Sequence, residues 1–147
     1  MDRFFKAAAG AFFTLVTGAL WLLGGWDAAL SVMFLMMGLD VASGLVTAGM
    51  RRSGKTAGGG FLSSALFLGL TRKFLMLLMV MLGHALDRLL GAAVCRVTVI
   101  GFYAANEAFS VVENAAVAGV PFPPGLLKLL ERFRERRSGA GGDAGGE

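Results

Sequence analysis

Phe102-Tyr103-Ala104-Ala105-Asn106-Glu107-Ala108-Phe109-Ser110-Val111-Val112-Glu113-Asn114, closing at Gly119-Val120-Pro121-Phe122-Pro123, reads as a membrane-length helix carrying two carboxylates, two carboxamides and a serine. At about 100° per residue, Tyr103, Asn106, Glu107, Ser110, Glu113 and Asn114 follow the i, i+3, i+4, i+7 rule and share one helix face. A charged side chain at the centre of a bilayer costs about 2.5–3.5 kcal/mol on insertion scales. Such a stripe is tolerable only where it faces protein or water. It is therefore either a packed seam between helices or the wall of a hole.

Composition supports a lipid environment. The 147 residues are 56% hydrophobic and 16% charged, with a mean hydropathy of +0.69; a soluble domain carries about 25% charge. So small a globule could not hide this surplus of apolar residues. The net charge of +4 suits basic cytoplasmic loops and gives no argument for nucleic acid as a partner. Cys95 is the single cysteine, which excludes an intramolecular disulfide and a multi-cysteine metal site within one chain.

The apolar pattern predicts an all-α integral membrane protein with about four transmembrane helices, three being the alternative. The transmembrane domain covers 1–120. The first segment runs from about Lys6 to Gly25 and reads as a retained anchor, its apolar run being too long for a signal-peptide core. Ala7, Gly10, Ala11, Thr14 and Gly18 form a small-residue stripe on it, suited to close helix contacts either within the bundle or between copies. The Gly24-Gly25-Trp26-Asp27 corner ends this segment. The second spans about Ala28 to Met50 and is interrupted only by Asp40, either a functional group or a hydrogen-bonding residue that fixes helix pairing. Phe61 to Leu70 is apolar but short. The third segment has an uncharged core of only about Phe74 to Leu86; it spans if Leu70 to Leu90 is counted, with Arg72, Lys73 and Arg88 snorkelling to the headgroups. The fourth runs from about Val97 to Ala118.

Pro121, Pro123 and Pro124 stop the fourth segment and open a short basic amphipathic helix within 121–137. Leu126, Leu127, Leu129, Leu130 and Phe133 form its apolar side, and Lys128, Arg132, Arg134, Arg136 and Arg137 suit an anionic membrane surface. Residues 138–147 form a glycine-rich tail expected to be disordered. Arg3, Lys6, the Arg51-Arg52-Ser53-Gly54-Lys55 loop and the tail are positive, whereas the 24–27 corner carries only Asp27. The positive-inside rule then places both termini in the cytoplasm.

Enzyme chemistry finds little support. Gly49-Met50-Arg51-Arg52-Ser53-Gly54-Lys55-Thr56 fits the phosphate-loop pattern, but a membrane segment precedes it where a strand is needed, and Gly58-Gly59-Gly60 follows where a helix must start. Nucleotide binding is rejected on those grounds. His84 is the single histidine. It reads as a packing residue; a triad of Ser110, His84 and Asp40 has no nucleophile-elbow sequence behind it. No catalytic residue, metal site or cofactor is expected.

Three blocks resemble the small bacteriophage holin family, which includes toxin-secretion holins of Gram-positive bacteria. Leu39-Asp40-Val41-Ala42-Ser43-Gly44 is similar to its L-D-Y-x-T-G block, with Val41 and Ser43 as departures. Ser63-Ser64, Gly69, Arg72-Lys73 and His84-Ala85-Leu86-Asp87 resemble its second block, although Ala65-Leu66-Phe67-Leu68 stands where that family is basic. Phe102 to Pro123 resembles its third block nearly residue for residue. The resemblance implies a non-enzymatic homo-oligomer of the bacterial cytoplasmic membrane that opens lesions in the lipid bilayer for an endolysin or a toxin. Asp40, Asn106, Glu107, Ser110, Glu113 and Asn114 are then candidates for the polar seam or pore lining, with Gly10, Thr14 and Gly18 for helix packing. A small ion-coupled transporter is the alternative, with Asp40, Glu107 and Glu113 as ion sites, but the two halves show no inverted repeat. A third possibility is an accessory membrane protein that recruits a partner through its basic tail.

Overall fold

The structure, a computed structural model, describes residues 1–52 and 63–125 together with Lys128 and Arg132. The predicted basic helix lies outside the described residues apart from its start and those two positions, and the tail 138–147 lies outside them entirely. Four helices make up the described chain: α1 (Asp2–Leu22), α2 (Ala28–Gly49), α3 (Ser63–Leu90) and α4 (Cys95–Ala118). No strand occurs among the described residues. Three helices are long and apolar enough to cross a membrane, over Arg3–Leu22, Ala28–Gly49 and Ser63–Leu90. The fourth has membrane length at 24 residues, but Arg96, Asn106, Glu107, Glu113 and Asn114 make it less apolar.

α3 differs from the sequence expectation. The short apolar stretch before Arg72 and the third segment form one helix of 28 residues. Arg72 and Lys73 therefore lie within it and mark no boundary. Both are good helix formers, and only the hydropathy profile is broken there. Lys73 does not snorkel to a headgroup: it is paired with Glu107 of α4, and its side chain is only 14% exposed.

The chain divides into two compact units, Met1–Gly38 with Leu62–Glu107 and Leu39–Phe61 with Ala108–Glu147. The first holds an apolar core. Leu30, Met33 and Met37 of α2, at helical spacing, pack with Val80 of α3, Ile100 of α4 and Leu23, while Phe34, Met76, Leu77, Tyr103 and Ala104 close around them. Outside this core α1 is almost bare: the side chains of Phe4, Phe5, Phe12, Phe13 and Leu15 are exposed.

Two polar clasps order one end of the first unit. Gly24 and Gly25 take positive φ, 86° and 89°, a conformation that ends a helix and favours glycine. Their amides return to the carbonyls of Trp21 at 3.1 Å and Leu20 at 2.8 Å. Arg96 then enters this corner from α4. Its Nε donates to Leu23 O at 2.5 Å, its Nη2 to Gly25 O at 3.0 Å, and its Nη1 to Asp27 Oδ2 at 2.6 Å. A Cβ on Gly24 would lie 2.7 Å from both Arg96 Nε and His84 Nδ1, so only glycine fits. Asp27 also caps α2, accepting the Leu30 amide at 2.8 Å.

The second clasp is Asp87 of α3, whose carboxylate accepts the amides of Val94 at 3.1 Å, Cys95 at 2.7 Å and Arg96 at 3.0 Å. These are orphan donors at the start of α4, and the acid complements the positive end of the helix dipole. A Cβ on Gly83 would approach the Arg96 backbone to 3.1 Å, so glycine lets the two helices close beneath this cap. Arg88 lies over the Trp21 ring at 5.0 Å, tying α3 to the end of α1.

The hydrogen bond from Arg96, helped by the Leu30 amide, holds the Asp27 carboxyl below the usual carboxylate range. A depressed folded-state value means that the contribution exists above the unfolded value, about 3.9, and is lost as pH falls through the folded one. The Asp27 side chain is 47% exposed, so after solvent screening it is worth no more than about 1 kcal/mol. Asp27→Asn should therefore flatten part of the loss of thermal stability of the detergent-solubilised protein below about pH 4. Arg96→Met should cost more, about 2–3 kcal/mol, because it also strips the Leu23 and Gly25 carbonyls of their donor.

Candidate functional site

α4 turns its polar face inward. Ile100, Glu107 and Asn114, seven residues apart, are buried, and Tyr103 and Ser110 between them are half-buried. The exposed positions of its first half are Val97, Thr98, Gly101, Phe102 and Ala105, an almost wholly apolar face suited to lipid. In the single chain the stripe thus faces protein.

Its polar side chains divide between the two units. In the first, Glu107 is 4% exposed and accepts a hydrogen bond from Lys73 Nζ, forming an ion pair between α4 and α3. A carboxylate this deep in an apolar bundle would otherwise carry most of the desolvation cost of a buried ion. Arg96, also within the sequence vicinity of the stripe, goes instead to Asp27 and the α1 carbonyls. Asn106 is half-buried in the same unit.

In the second unit, Asp40 and Asn114 meet. Asn114 Nδ2 donates to Ser43 Oγ at 2.9 Å and, more weakly, to Asp40 Oδ1 at 3.4 Å. Ser43 Oγ donates to the Asp40 carbonyl at 3.1 Å. Thr47, one turn further along α2, is buried and donates to Gly44 O at 3.0 Å. Gly44 lies beside the amide: a Cβ there would sit in ordinary contact with Asn114 Nδ2, at 3.8 Å. Ser110 and Glu113 are half-buried here. Asp40 is therefore a buried, hydrogen-bonded group joining α2 to α4.

The structure adds two residues to the site expected from sequence. Ser43 was visible only as part of the Leu39–Gly44 block, whereas Lys73 stood in the sequence, with Arg72 and Arg96, as a basic residue able to pair with Glu107 or Glu113. The remaining candidates fall elsewhere. Gly10 and Gly18 have open space around them on α1, and Thr14 Oγ1 donates to Gly10 O at 2.9 Å within the same helix. A Cβ at either glycine would meet nothing within 4 Å among the described residues. Lys128 and Arg132 are exposed, while Arg134, Arg136 and Arg137 lie outside the described residues. No group of three or more His, Cys, Asp or Glu side chains among the described residues is placed to hold a metal ion. The phosphate-loop pattern begins at the end of a helix, since α2 runs to Gly49, where that motif requires a strand.

Removing the Asn114 amide should destabilise the protein. Asn114→Ala should lower thermal stability in detergent by about 1–3 kcal/mol, the cost of a lost buried donor. Asn114→Asp should cost more than Asn114→Ala, because it sets a second carboxylate beside Asp40. Equal melting temperatures for the two variants would contradict this arrangement.

No solved structure matches the chain. Residues 17–135 match the bacteriophage holin family, a region that takes in the whole polar face and Gly18 but not Gly10 or Thr14. An uncharacterized 14.9 kDa protein of Clostridium perfringens, from the nagH 3′ region, is 29% identical, covering 80% of this chain and 85% of its own length. An uncharacterized protein of Halalkalibacterium halodurans is 30% identical over 79% of this chain and 85% of its own. One of Listeria monocytogenes is 33% identical over 77% of this chain and 76% of its own. With three helices long and apolar enough to cross a bilayer and this match over most of its length, the chain is a membrane protein that belongs to the bacteriophage holin family.

Proposed function

We propose that the chain acts as a phage-type holin. It accumulates in the bacterial cytoplasmic membrane with both termini in the cytoplasm, α4 crosses as a fourth span, and copies associate into lesions that pass an endolysin or a toxin. The account contains no catalytic step, cofactor, metal or nucleotide. The observation that carries it is the contrast between α4 and α1. The polar face of α4 is folded away against protein, with Glu107 and Asn114 buried, whereas none of the apolar span of α1 is buried among the described residues. Copies that meet through α1, with Gly10, Thr14 and Gly18 allowing close approach, can then turn Asp40, Asn106, Glu107, Ser110, Glu113 and Asn114 toward a shared aqueous path. Water at that wall relieves the desolvation cost that binds these groups within one chain.

Induced expression in a bacterial host, with membrane potential and escape of a co-expressed cytoplasmic muralytic enzyme recorded together, tests this. The expected result is abrupt depolarisation followed by enzyme escape and lysis. Depolarisation without escape indicates an ion pathway, and neither signal indicates an accessory protein. Replacing Gly10 and Gly18 together by leucine should delay or abolish lysis at equal membrane accumulation, because the added side chains keep neighbouring α1 helices apart. An unchanged lysis time would remove α1 from the assembly.

A further inference from the structure

We infer that Lys73 is a latch: its ammonium holds Glu107 inside the single chain and thereby opposes opening of the lesion. This rests on the holin reading and assigns a timing role to a residue outside the polar face itself. Three observations carry it. The pair is secluded, with side-chain exposures of 14% for Lys73 and 5% for Glu107. It joins two different helices, so it cannot persist unchanged if α4 turns its polar face away from α3. It is also remote from the turn between α3 and α4: about 18 Å of helix separates Glu107 from Cys95, and about 25 Å separates Lys73 from Leu90, so neither charge sits at that end of the helices. Arg72, the adjacent basic residue, is exposed and provides the contrast.

The direction of the effect follows from the environments of the two states. In the closed chain the Lys73 ammonium compensates the Glu107 carboxylate where water is scarce, and loss of that ammonium leaves the carboxylate without it. At a water-lined wall both charges are hydrated and the pair contributes little. Lys73 thus stabilises the closed form more than the open one. Deleting its charge favours opening, because Glu107 reaches water by leaving the bundle. Neutralising both positions removes the charge whose release drives the change.

The test compares wild type with Lys73→Met, the Lys73→Met/Glu107→Gln double variant, the Lys73→Glu/Glu107→Lys exchange and Arg72→Met. Lysis time and membrane-inserted protein per cell at lysis are measured for each, and thermal stability is measured for the purified proteins in detergent. Lys73→Met should trigger early, at a several-fold lower accumulated amount. The double variant should trigger late, and the exchange should return both timing and thermal stability toward wild type. Arg72→Met should trigger at the wild-type time. The latch is overturned if Lys73→Met triggers at the wild-type time and amount, or if the exchange behaves as Lys73→Met does. It is also overturned if Lys73→Met inserts normally but never triggers, since Lys73 would then be needed for opening. A wild-type chain that never permeabilises the host overturns the holin reading and the latch with it, whereas the thermal comparison still reports the ion pair on its own.

Discussion

An ionised or hydrogen-bonding side chain in hydrocarbon needs a partner, and the arrangement of this chain follows from how those partners are supplied. Glu107 takes Lys73, Asp40 meets Asn114 and Ser43, and Asp87 takes the first amides of α4. Each of these contacts joins separate elements or caps one, so the polar groups dictate which helix faces meet. Between helices already surrounded by lipid, apolar contact alone has little driving force, and hydrogen bonds and close packing decide the pairing. The same groups are costly wherever a partner is withdrawn and inexpensive wherever water replaces it. On the proposed reading, that asymmetry is what allows one set of residues to hold a folded chain together and to line water in an assembly.

The corner at Gly24 to Asp27 illustrates how far the bundle depends on a single cation. Arg96 reaches two backbone carbonyls and one carboxylate there, while its own amide is held by Asp87. The end of α1, the start of α2 and the start of α4 are thereby fixed by one side chain. Among the described residues, no such tie is seen along the rest of α1. Its bulky Phe4, Phe5, Phe12 and Phe13 remain exposed, which leaves the helix to lipid or to other chains.

Much of this was legible in the residues. The period of Asn106, Glu107, Ser110, Glu113 and Asn114 marks one face of α4, and the structure buries Glu107 and Asn114 of that set. Gly24 and Gly25 announce the corner because their conformations are ones that other residues rarely take. Asp40 stands out because nothing near it in sequence is charged. What could not be read has a physical reason. Arg96 binds groups 69 to 73 positions earlier, two of them backbone carbonyls that carry no residue-type signal. α3 looked too short because hydropathy counts Arg72 and Lys73 as a break, although a charge met by Glu107 interrupts nothing. The small residues of α1 signal close approach but not to what, and the described residues offer Gly10 and Gly18 no neighbour.

The polar face of α4 is shielded in the single chain and, on the proposed reading, wet in the assembly. Ser110→Cys in a Cys95→Ala background tests it most directly, using a small membrane-impermeant thiol reagent applied to cells before and after the membrane potential collapses. The account predicts protection during accumulation and rapid labelling once the lesion opens, with a cysteine at Phe102 unlabelled throughout as the lipid-facing control. Labelling of position 110 at the same rate before and after collapse, or its protection in cells that have released their contents, would contradict it.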